Sequence, residues 1–120
     1  MAKNLEISLL LDFYGDMLTL KQKNMIQYYY DNDLSLAEIA QNEGITRQGV
    51  RDNIKRAEGQ LMEMEARLGL ARRFKEMAQG LGSIKKAAFH IRELNDKHTH
   101  LAEIDNLAKE IEDTASRLGD

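Results

Sequence analysis

Between Arg47 and Lys55 the chain concentrates side chains suited to reading nucleic acid. Arg47, Gln48, Arg51, Asp52 and Lys55 follow one another in steps of one and three, so on a helix they share one outer face. Arginine and glutamine can read the guanine and adenine edges of the major groove. Thr46, just ahead of them, reads as a helix N-cap, and the helix end behind it offers backbone N–H groups to a phosphate. Arg47, Arg51, Lys55 and Arg56 face only Asp52 in this stretch. A local excess of this kind attracts a polyanion even on a chain whose formal net charge is −3.

Those side chains need a frame, and the flanking residues supply its pattern. Ser35 with Glu38 reads as a capping box that opens a short helix, Leu36 to about Asn42. Gly44 stands where a left-handed residue would end it. Thr46 then starts a second helix whose apolar positions Val50, Ile54, Ala57 and Leu61 step by four, three and four. Ile39 supplies contact from the first helix, Ala40 lets the second cross closely, and Ile45 plugs the angle between them. Together these form a helix-turn-helix from Ser35 to about Arg56. Gly49 departs from the pattern, since glycine inside a helix costs about 1 kcal/mol relative to alanine.

Upstream, one helix is expected from about Leu5 to Leu18, on the spacing of Leu5, Leu9, Phe13 and Met17 with Leu10 and Tyr14 widening the face, and a second from Leu20 to about Tyr30, opened by a Thr19–Gln22 capping box. The run Tyr28, Tyr29, Tyr30 sweeps roughly 200° of a helix and cannot stack bases on one face, so Tyr29 or Tyr30 is expected in the core. The glycines at 80 and 82 suggest a boundary, giving a helix-turn-helix domain over residues 1–80 and a helical C-terminal extension over 81–120. In that extension Leu101, Ile104, Ala108, Ile111, Ala115 and Leu118 form a stripe at heptad spacing, expected to pack back on the chain or to dimerise it. A register shift near His98 predicts a break or stutter.

Other chemistry finds little support. Cysteine and proline are absent from the 120 residues, so neither a disulfide nor a thiolate zinc site can form. His90, His98 and His100 match no zinc spacing, and Asp96, His100 and Glu103 would share a face only on an unbroken helix. Met62, Met64 and Met77 fit a core as well as a partner groove. No nucleophile–base arrangement, phosphate-cradling loop or carboxylate pair is legible, so neither an enzyme nor a cofactor is expected. No apolar run reaches membrane-spanning length. The start reads as a folded helix rather than a signal peptide, and the composition suits a reducing cytoplasm.

The segment LTLKQKNMIQYYYDNDLSLAEIAQNEGITRQGVRDNIKRAE is similar to region 4 of sigma-70-type factors. It more closely resembles the YlxM-type helix-turn-helix proteins of Gram-positive bacteria, and the preceding LLLDFYGDML fits as well. The resemblance covers roughly residues 5–70. It implies an all-α, sigma-region-4-like fold and a regulator of, or accessory to, the signal recognition particle pathway, with which that family is associated. It supports Arg47, Gln48 and Arg51 as DNA contacts.

The expectation is therefore an all-α protein that binds DNA as a regulator through Thr46, Arg47, Gln48, Arg51, Asp52 and Lys55. The alternative is a protein or ribonucleoprotein adaptor of the same pathway that uses the helix-turn-helix as a plain scaffold. A homodimer is expected, because it would present two recognition helices to a two-part site.

Overall fold

The computed structural model describes residues 1–119, and these are helical without strands. Six α-helices run in order: α1 Glu6–Tyr14, α2 Leu20–Tyr30, α3 Leu36–Glu43, α4 Arg47–Leu68, α5 Leu70–Leu94 and α6 Ala102–Gly119. A short 3₁₀ turn, Gly15–Met17, follows α1, and a π turn, Asn95–Thr99, joins α5 to α6. The chain divides into two compact units, one ending at Ala71 and the other beginning at Arg72.

In the first unit α4 packs against α1, α2 and α3. Val50, Ile54, Ala57 and Leu61 of α4 are fully buried, on the expected spacing. They meet Ile7, Leu10 and Tyr14 of α1, Met25 and Ile26 of α2, and Ile39 of α3. Both capping boxes form: Thr19 and Ser35 accept the N–H of Gln22 and Glu38, whose side chains return to the capping residues' N–H groups.

The first helix is shorter than expected, and its core face keeps Leu10 and Tyr14 of the expected one while shifting away from Leu5 and Met17. It ends at Tyr14, and its core face is Ile7, Leu10, Leu11 and Tyr14. Leu5 and Met17, the ends of the expected stripe, are 88% and 64% exposed. Six of the nine side chains from Leu5 to Phe13 are apolar and spread over most of the helix circumference, so periodicity alone fixes no single phase there. The inner line that closes on α4 is the one carrying Tyr14, whose hydroxyl donates to Glu65 Oε1 at 2.7 Å.

The second unit is a helical hairpin. No break occurs at Gly80 and Gly82, and α5 runs through both. The chain reverses instead at the expected register shift, where His100 takes φ +57°. Asn95 holds the reversal: its Nδ2 donates to Leu101 O at 2.8 Å, and Leu101 N–H donates to its Oδ1 at 3.0 Å. Arg92 spans from α5 to α6, bonding Asp105 at 3.0 Å and Glu112 at 2.9 Å. These two carboxylates hold the guanidinium above its usual pKa. The reversal at His100 separates Asp96 from Glu103, so the shared face considered for them does not exist.

Candidate nucleic-acid interface

Gly44 has φ +68° and ψ +32°, and its N–H donates to Ala40 O. Ile45 N–H bonds the same carbonyl at 3.2 Å. The backbone thus ends α3 by a left-handed residue and turns at once. Ile45 packs against the core beside Ile39 and Ala40. Thr46 follows with extended backbone, and its Oγ1 accepts Gly49 N–H at 3.0 Å. That cap explains Gly49: a Cβ there would lie 3.1 Å from Thr46 Oγ1 and 3.6 Å from Ile45 Cδ1. Among the described residues, the N–H groups of Arg47 and Gln48 have no intrachain acceptor.

Burial of Val50, Ile54 and Ala57 turns the opposite side of α4 outward. Thr46, Arg47, Gln48, Arg51, Asp52, Lys55 and Arg56 are all exposed. Arg47, Arg51 and Arg56 pair with no carboxylate among the described residues. The other expected contacts are partly engaged. Gln48 Nε2 donates to Asp52 Oδ1 at 2.9 Å, and Lys55 Nζ lies 3.9 Å from Glu58. Glu58 is mostly buried and accepts the Tyr30 hydroxyl at 2.8 Å. Burial pushes the Tyr30 pKa up to about 12, with Glu58 adding to the rise.

Sequence reasoning missed the network at the far end of α4. Glu65 Oε1 accepts both the Tyr14 hydroxyl and Ala71 N–H, the latter at 3.0 Å. The Tyr14 oxygen accepts Leu70 N–H at 3.1 Å. Burial raises the Tyr14 pKa, and donation to Glu65 raises it further. Two side chains thus satisfy the first N–H groups of α5, directly after the left-handed Gly69 (φ +64°) that ends α4. The partners lie 51 positions apart, so no local pattern announces them.

Each of the six residues expected in the C-terminal stripe has a definite place. Ala108 and Ala115 are buried, Ile104 is half-buried, and Leu101, Ile111 and Leu118 are exposed. Among the described residues no group of three or more His, Asp or Glu is placed to hold a metal ion, and no helix is long and apolar enough to cross a membrane.

Comparison with known proteins finds a match over residues 1–114 to the family described as "Putative helix-turn-helix protein, YlxM / p13 like", UPF0122. A UPF0122 protein of Thermoanaerobacter sp. (strain X514) is 45% identical over 107 residues, covering 89% of this chain and 92% of the relative. One from Shouchella clausii is 45% identical over 85 residues, covering 71% and 78%. Another from Bacillus velezensis is 39% identical over 103 residues, covering 86% and 93%. The likeness thus reaches beyond residue 70, where the sequence resemblance was expected to end, and takes in most of the second unit.

Proposed function

Because the chain belongs to the UPF0122 family of YlxM/p13-like helix-turn-helix proteins, we propose that it is a DNA-binding regulatory protein whose α4 enters the major groove. One observation carries this reading. Arg47 and Arg51 stand exposed and without a carboxylate partner beside the open N–H groups at the start of α4. The N–H groups and Arg47 suit a phosphate, which fixes register, and Arg51 one turn later suits a base edge. Residence in the cytoplasm and a role beside the signal recognition particle pathway accompany the proposal.

The test is a titration of purified protein against fragmented genomic DNA, followed by sequencing of the retained fragments. A discrete set of retained sites is expected. Arg51→Ala should weaken binding to them by roughly 1–3 kcal/mol and relax the preference at one position. Retention of no DNA at low salt, or indifference to Arg51→Ala, would count against the reading.

A second reading is favoured by the Gln48–Asp52 hydrogen bond, which occupies one reading side chain and sets a carboxylate within the cationic face. On that reading the helix-turn-helix is the scaffold of a protein or ribonucleoprotein adaptor in the targeting pathway. Its signature is capture of a targeting component that survives nuclease treatment of DNA and the joint change Arg47→Ala, Arg51→Ala.

A further inference from the structure

The α5–α6 hairpin is closed by polar contacts and small residues. Arg92 and Asn95 supply the polar ones, and Ala88, Ala108 and Ala115 are its buried apolar residues. Large apolar side chains stay outside: Ile84 and Ile111 are 48% and 44% exposed, Leu107 and Leu118 56% and 60%. With Leu81, these four line one groove of about 620 Å³ along the hairpin. Ile91, seven residues beyond Ile84, and Ile104, seven before Ile111, extend the same face by helical repeat. Two helices cannot enclose an apolar face of this width, and bundles complete such a core with two more.

Charge indicates what the other two helices are. Six Lys or Arg against two Asp or Glu make α5 basic, while five Asp or Glu against two Lys or Arg make α6 acidic. We propose that the groove is covered by the same face of a second copy of this chain, forming a four-helix bundle in which each α5 lies against the partner's α6. A two-fold axis running along the helices produces this arrangement, and every neighbouring pair then has opposite charge and antiparallel direction. An axis across the helices would stack α5 on α5 and α6 on α6, setting like charges together. The proposal does not depend on what α4 binds.

The hairpin's own register makes the pairing testable. Arg92 bonds Asp105 and Glu112, and a Cβ at Gly119 would lie 3.7 Å from Leu81 Cδ1. The same register across the two-fold axis brings position 87 of one copy beside position 114 of the other, both on the flank opposite the one that carries Arg92, Asp105 and Glu112. Within one chain the two positions do not face each other.

The chain has no cysteine, so introduced thiols report cleanly. Ala87→Cys and Thr114→Cys chains, mixed and oxidised, should give a disulfide-linked dimer containing one of each, while either alone gives little. By sedimentation the unmodified chain should have twice the 13.7 kDa mass of one copy. The pair Ile84→Asp and Ile111→Asp should raise the dimer dissociation constant by roughly 100-fold or more, because it places carboxylates in the apolar seam. Should that double variant unfold, the cross-link decides alone. A monomer at every concentration, a dimer untouched by the aspartates in a folded variant, or no mixed cross-link would overturn the proposal.

Discussion

Gly44 has open space where a Cβ would stand, but a backbone that L side chains avoid. Gly44→Ala should therefore cost about 1–2 kcal/mol through left-handed strain, and Gly44→Asn less, measured by chemical denaturation. Tyr14→Phe removes an acceptor from Leu70 N–H and a donor from Glu65 together, so a lowered denaturation midpoint is expected. Tyr30 carries a pH signature. Its folded pKa of about 12 lies above the value of about 10 for a free tyrosine, so the unfolded chain loses that proton first as pH rises. Stability from this hydroxyl is complete below pH 10 and is lost between about 10 and 12. Alkaline denaturation of Tyr30→Phe should lack that component.

At the scale of the element, what was legible is what is local. The caps at Thr19, Ser35 and Thr46 and the turn at Gly44 are set by residues within four positions of one another, and the structure forms all of them. Burial along α4 was legible because polar residues separate its apolar ones. The phase of α1 was only partly so, because its apolar residues spread over most of its circumference. Gly80 and Gly82 misled for a different reason. Glycine weakens a helix by only about 1 kcal/mol, too little to break one that hairpin contacts support over 25 residues. Nothing lies within 4 Å of a Cβ at either position, so Gly80→Ala and Gly82→Ala should each stabilise by up to about 1 kcal/mol. Calorimetry of the full chain would register this as a raised Tm. Gly49→Ala should fall short of the same gain, because its Cβ crowds Thr46 Oγ1 at 3.1 Å.

Across the whole molecule, what sequence could not separate was the inward from the outward members of one heptad stripe. Ala108 and Ala115 are buried while Ile111 and Leu118 remain exposed. Heptad spacing places all four on one side of α6 but does not say which of them another helix will cover. Of the cationic face on α4, the identities and exposure were legible from its amphipathic pattern. The Gln48–Asp52 bond was not, since four-residue spacing permits that contact without requiring it. Whether Arg47 and Arg51 engage a polyanion is tested most directly by the salt dependence of DNA affinity. The plot of log affinity against log salt should be steeply negative, and Arg47→Ala, if it removes one phosphate contact, should flatten its slope by about 1. A slope near zero, or one left unchanged when both Arg47 and Arg51 become alanine, would contradict that engagement.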